Sequence, residues 1–320
     1  MNKVFVSVVA ALAVTAAAPA FAADMPVKAP APVAAPPSPW DLAFGSAVMN
    51  DYVWRGVTQS AHQPSVAAYF EPRYNVLPNL QLYAGISGES IKFANNAAAE
   101  IDFYGGVRPT FGPLAFDIGY WYYYYPGGNC YALPTVDPAC TGVISTNGNV
   151  AKANASFYEV YGKVVWTIGD WALGANEYYS PNFLNTGAWG NYASGTVKYT
   201  APSNLALGEV GWYVSGEFGR QWLGTSDAFY GVTGFLGGID YKDYDTWNVG
   251  VGFTWKVFTL DLRYSDTDMN KGDCNAFTSD PSASGTSNVT AINPGGAGSS
   301  WCGATFIAKL SADLTLGSLK

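Results

Sequence analysis

The chain has 320 residues, 16% of them aromatic and only 12% charged, with 36 glycines, a single histidine and a formal charge of −8. That charge density is about half of what a water-facing domain carries, and an acidic balance without clustered Lys and Arg argues against nucleic acid as a partner. After the first 22 residues no stretch approaches about 18 uninterrupted apolar residues, so a spanning helix is excluded as well.

The amino terminus predicts a compartment. Lys3 supplies a positive start, Val4 to Ala18 an apolar run, and Ala20-Phe21-Ala22 a small-x-small cleavage site, so residues 1–22 read as a secretory signal peptide cleaved near Ala22. Residues 23–39 are rich in Ala and Pro and read as an extended periplasmic tether. Residues 40–320 then form one domain.

Within that domain the dominant signal is a period of two. In Thr246 to Val257, Trp247, Val249, Val251, Phe253 and Trp255 alternate with Asn248, Gly250, Gly252, Thr254 and Lys256, which predicts a strand with two unlike faces. Phe258, Leu260, Leu262 and Tyr264 repeat the pattern with the phase shifted, so a tight hairpin is expected at 256–258. The same template predicts strands at 41–55, 64–75, 79–92, 99–111, 114–125, 154–167, 171–181, 190–201, 206–222, 246–256, 258–266 and 301–316. Short links follow the even strands and longer ones, notably 126–153, 182–189, 223–245 and 267–300, follow the odd strands. About twelve strands with short turns at one end and long loops at the other predict an all-β fold: a closed antiparallel transmembrane β-barrel with short periplasmic turns and long extracellular loops.

Charges sort with the same period. Glu71, Arg73, Asp102, Arg108, Asp117, Glu159, Lys163, Lys198, Glu217, Lys256, Asp261, Arg263, Lys309 and Asp313 all fall on the polar phase of their strands and are the pore-lining candidates. Glu177 and Arg220 depart from the rule, late in upward strands near the outer rim. An Arg or Lys facing mid-bilayer lipid costs about 2–4 kcal/mol, so one-sided segregation is what a lipid-facing exterior requires. A β-sandwich also alternates, but its polar phase faces water and would be rich in Lys, Glu and Asp rather than in Gly, Ser, Tyr and Thr. The stretch "GYWYYYYPGG" fits the barrel: Tyr120, Tyr122 and Tyr124 reach headgroup depth in an aromatic girdle, joined by Trp166, Trp171, Trp247 and Trp255, while Trp121, Tyr123 and Tyr125 face inward.

Four cysteines suit an oxidising compartment. Local pairing within the loops, Cys130 with Cys140 and Cys274 with Cys302, needs the least chain rearrangement. No Cys-x-x-Cys or neighbouring His points to a metal, and no cofactor is implied. Asp266, Asp268 and Asn270 are spaced like calcium ligands, but Gly272 is one place late and Phe277 stands where the bidentate Glu belongs, so a polar turn-forming loop is expected. Asn293 to Ser300 lacks the strand-to-helix setting of a phosphate cradle and reads as flexible loop. Catalysis is hard to stage with His62 alone, in the first outer loop, so no enzyme activity is expected.

Several words of the chain resemble a known family. "DYVWRGVTQSAHQPSVAAYFEP" (Asp51 to Pro72), "AEIDFYGGVRPTFGPLAFDIGYWYYYYPG" (Ala99 to Gly127), "SFYEVYGKV" (Ser156 to Val164) and "YSDTD" (Tyr264 to Asp268) are similar to the signature segments of the TorF porin family, also catalogued as Gcw_chp, a family of uncharacterised bacterial proteins. The resemblance implies an outer-membrane barrel acting as a porin and brings no established substrate or catalytic residues. Two features depart from it: the terminus "LTLGSLK" lacks a final aromatic, and the leader and the 267–300 loop look like additions. The expected partners are outer-membrane lipid, lipopolysaccharide and a small polar solute, in the bacterial outer membrane. A closed barrel serving a structural or adhesive role through its loops is the alternative.

Overall fold

A computed structural model describes residues 39–132, 143–145, 147–231 and 237–316. The signal peptide, nearly all of the tether and Cys140 lie outside them. Twelve strands form a closed antiparallel barrel in which each strand pairs with its neighbours in sequence. They are β1 Trp40–Met49, β2 Ser65–Leu77, β3 Leu80–Glu89, β4 Glu100–Phe111, β5 Leu114–Tyr124, β6 Phe157–Ile168, β7 Trp171–Ser180, β8 Gly190–Thr200, β9 Gly211–Leu223, β10 Tyr244–Trp255, β11 Phe258–Thr267 and β12 Thr305–Thr315. Closure comes from β1 against β12, from Ala43 opposite Thr315 to Met49 opposite Lys309, which leaves no open edge.

The alternation sets the two faces. Ile118, Val160, Phe218, Val249 and Leu310 point outward and are exposed, whereas Glu71, Arg73, Asp102, Glu159 and Asp261 point inward and are buried. Apolar atoms outside and ionised groups inside invert the arrangement of a water-soluble domain.

The inner wall is filled by tyrosines laid over glycines on neighbouring strands. An added Cβ at Gly85 would lie 2.3 Å from the Tyr104 ring, and one at Gly252 would lie 2.0 Å from Tyr213 Cζ. Gly45, Gly119 and Gly219 make the same room for Tyr69, Tyr161 and Tyr192. Glycine in a strand marks a close approach of this kind.

At one end the links are tight. Gly112 (φ 57°) and Gly169 (φ 56°) supply the left-handed backbone that two-residue hairpins need, and Lys256 (φ 53°) does so without being glycine. Lys256 therefore belongs to the turn joining Trp255 to Phe258 and is exposed there, which corrects its placement among the wall residues. Residues 206–210 also leave the predicted ninth strand, because a 3-10 turn at Ser203–Leu205 carries the chain until Gly211.

At the other end the long loops fold inward over the mouth. Residues 50–55, expected to extend β1, instead turn into a small hairpin, Val53–Trp54 against Val57–Thr58. Residues 267–300 contain an eight-residue helix, α1 Lys271–Thr278, whose Asn270 side chain accepts from Gly272 N and Asp273 N. Asn270 is thus a helix cap, while Asp266 accepts from Tyr264 Oη and Asp268 from Asp245 N. The disulfide Cys274–Cys302 ties α1 to the turn just before β12, and Cys130 is also disulfide-bonded. The segment read as flexible, 293–300, is instead packed: Asn293, Ala297 and Ser299 are buried. Trp54, Val57, Phe157, Phe183, Tyr230, Tyr244, Phe277 and Trp301 form the apolar core of this cap.

Candidate functional site

Two networks of paired charge line the inner wall. On β2, β4 and β5, Glu71 accepts from Arg73 Nε at 2.6 Å and from Arg108 Nη1 at 2.8 Å, and Arg108 Nε lies 3.2 Å from Asp117. Arg108 also stacks 3.5 Å above the Tyr83 ring, and Tyr83 Oη contacts Tyr161 Oη. On β9 and β11, Arg263 donates twice to Asp261 at 3.0 Å and once to Ser215 at 2.8 Å, and Tyr213 Oη donates to Asp261 at 2.7 Å. Lys198 sits 3.9 Å from the Tyr213 ring centre, Lys309 is the register partner of Asp261, and Asp313 accepts from Tyr69 Oη at 2.9 Å. Glu217 accepts from Tyr192 at 3.0 Å and Asn248 at 3.3 Å. Lys163 has no carboxylate within 4.0 Å among the described residues and lies 4.6 Å from the Tyr161 ring instead.

The main residue missed by strand periodicity is Arg55. At the tip of the inward hairpin, with φ 49°, it reaches down to β6 and forms a two-armed bond with Glu159, 2.8 Å in each arm, plus a 3.0 Å bond to Gln221 on β9. The rings of Trp54, Tyr178 and Tyr192 lie 4.1–4.9 Å from its guanidinium carbon. Glu159 is completely buried, so this contact satisfies a wall charge while drawing the first loop across the lumen. A loop residue has no period to betray its direction; the only sequence hint was a basic residue followed by Gly56 (φ 79°) inside an aromatic word.

Glu177 and Arg220 face outward with no bulge in their strand registers. Arg220 bonds Asp245 at 2.9 Å and lies 3.7 Å from Asp243, on the rim of the loop end. Tyr120 and Tyr124 are exposed on the outer face at the loop end, where Tyr122 on the same strand and Trp247 on β10 are partly covered. Trp166, Trp171 and Trp255 are exposed on the outer face at the turn end.

His62 sits in the cap, its Nδ1 2.7 Å from Asp51 Oδ2 and its Nε2 3.2 Å from the Ser300 carbonyl oxygen. The hydrogen bond to Asp51 raises its pKa above the ordinary value. Both ring nitrogens therefore face acceptors, and Ser60 Oγ bonds Asp51 and the Gln63 carbonyl rather than the imidazole. This differs from a nucleophile–base pair, in which the ring must face the hydroxyl.

No curated protein matches the chain. Among solved structures it is similar to an outer-membrane channel from Pseudomonas putida F1, with 11% identity over 91% of this chain and 100% of the other and a TM-score of 0.42. It is also similar to OmpT, an outer membrane protein of Vibrio cholerae, with 12% identity over 89% of this chain and 100% of that one (TM-score 0.37). LpxR from Salmonella typhimurium aligns at 10% identity over 85% of this chain and 99% of its own, with a TM-score of 0.38. A family model described as a bacterial protein of unknown function, Gcw_chp, matches residues 33–292. The chain belongs to the Gcw_chp family.

Proposed function

We propose that the protein is an outer-membrane barrel that passes small polar solutes passively, as a porin does, with its outer face against lipid and lipopolysaccharide. The observation that carries this reading is the inversion of faces: an apolar exterior, interrupted by Glu177 and Arg220 toward the loop end, surrounds a wall on which acids and bases interleave. Fixed charge lining a passage sets which ions and solutes enter it. Arg73, Arg108, Asp117, Lys163, Lys198, Asp261 and Arg263 are the wall groups that would set selectivity. The inward hairpin carrying Arg55 narrows the loop end and acts as the constriction. No catalytic role is assigned.

The alternative, a closed barrel that acts through its loops, draws support from the packed cap and its disulfide. Planar-bilayer recording separates the two. The refolded chain gives small conductance steps, and Arg55→Ala enlarges them by releasing the hairpin from Glu159. Absence of steps in both proteins under every salt would favour the closed barrel.

A further inference from the structure

A third group of acids lies on the upper inner wall, apart from the two paired networks. Glu89 ends β3 and directly opposes Glu100, which begins β4, while Asp102 follows one inward position along and opposes Ser87. The period of two places all three carboxylates on one face. One oxygen from each lies within 4.8 Å of the other two, and Glu100 and Asp102 are only 2% and 3% exposed.

Like charges held this close in a buried site repel strongly. The guanidiniums of the inner wall and first loop are engaged elsewhere, Arg55 with Glu159 and Arg108 with Glu71 and Asp117. Among the described residues no basic nitrogen comes within 4.0 Å of Glu100 or Asp102. The groups that do reach them are neutral: Tyr52 and Tyr125 donate to the two oxygens of Glu100 at 2.6 and 2.9 Å, and Ser87 donates to Asp102 Oδ2 at 3.1 Å. Asp102 Oδ1 is buried and accepts no hydrogen bond, and one oxygen of the same carboxylate belongs to the converging set. The Trp121 indole lies beside the Asp102 carboxylate, but its buried N–H makes no hydrogen bond of ordinary geometry.

We propose that Glu89, Glu100 and Asp102 hold a hard divalent cation of the calcium class. The donor set is all oxygen, which suits a hard ion rather than a thiophilic one. Calcium accepts a flexible set of about six to eight oxygens whereas magnesium demands a tight octahedron, and three strand-borne carboxylate oxygens within 4.8 Å of one another suit the looser requirement. Lumen water completes the coordination. Glu100 is held by Tyr52 from the first loop, three residues before Arg55, so the bound cation steadies the hairpin that crosses the mouth. The site stands whether or not the lumen conducts.

Terbium luminescence on the refolded full chain tests it, because Tyr52, Tyr125 and Trp121 lie where they would sensitise a bound lanthanide. The expected result is saturable emission at one ion per chain, displaced by excess calcium and weakened at least tenfold in Asp102→Asn. Calcium should also raise the unfolding temperature of the parent but not of that variant. Glu89→Gln, at a less buried position, provides the same comparison if Asp102→Asn fails to refold. The site is refuted if the parent gives no saturable emission, as it would if the Trp121 indole satisfied Asp102 instead, or if folded Asp102→Asn or Glu89→Gln binds terbium as the parent does.

Discussion

The single histidine is the residue whose chemistry is easiest to isolate. Its bond to buried Asp51 and its contact with the Ser300 carbonyl link the first outer loop to the last one. Both contacts favour the imidazolium, and the hydrogen bond to Asp51 is the main reason the pKa rises. A group whose folded pKa exceeds its unfolded value contributes stability that is fully present below the unfolded pKa, about 6.5 for His. That contribution is lost as pH climbs through the raised folded value. An NMR titration of the one imidazole should therefore give a midpoint above that of an unfolded peptide, and protease cleavage within 50–64 should speed up over the same pH range. A midpoint at or below the peptide value would break the link between the two loops. Sequence alone placed His62 in an exposed outer loop, and could not show that Asp51, eleven positions earlier, returns beside it.

Elements were far more legible than loops, for a physical reason. A strand in a two-faced sheet must alternate, so all twelve were readable from side-chain period, and their registers keep the inward charges in phase. The Cys274–Cys302 bridge was readable too, since both residues flank one loop. Helix α1 was not, because eight residues in a Gly- and Ser-rich segment carry too few apolar positions for a helical period; its signal was the Asn270 cap, which the spacing of Asp266, Asp268 and Asn270 disguised as a cation pattern. The tyrosine-over-glycine fit was equally hidden, since it joins residues on different strands. It predicts that Gly252→Ala is costly: the methyl would lie 2.0 Å from Tyr213 Cζ, so the ring must move and abandon its 2.7 Å bond to Asp261. Overpacking of this kind costs about 1–3 kcal/mol. Urea unfolding in lipid vesicles should show a lowered midpoint for Gly252→Ala and little change for Gly195→Ala, where an added methyl meets nothing within 4 Å. Equal midpoints for the two variants would discount the ring contact.

At the scale of the whole molecule, closure and inversion belong together. A sheet in hydrocarbon has no water to satisfy an open edge, so it must close, and a closed sheet with an apolar outside must put its ionised groups within. Aromatic residues on the outer face at both ends, Trp166 and Trp171 at the turns and Tyr120 and Tyr124 at the loops, are placed as membrane-interface anchors would be. The fold and the wall charges were legible in the sequence because both follow from alternation. The cap, with Arg55 and the acids near Tyr52, was not, because it arises from loops packing on one another. The most direct test of the central claim is nitroxide scanning along β9 of the protein reconstituted in bilayers. Labels at Val214, Gly216 and Phe218 should collide with oxygen and be shielded from a water-soluble nickel chelate, while labels at Ser215 and Glu217 should not share that lipid signature. Equal access of the chelate to both sets would contradict a lipid-facing exterior and, with it, the reading of this protein as a membrane barrel.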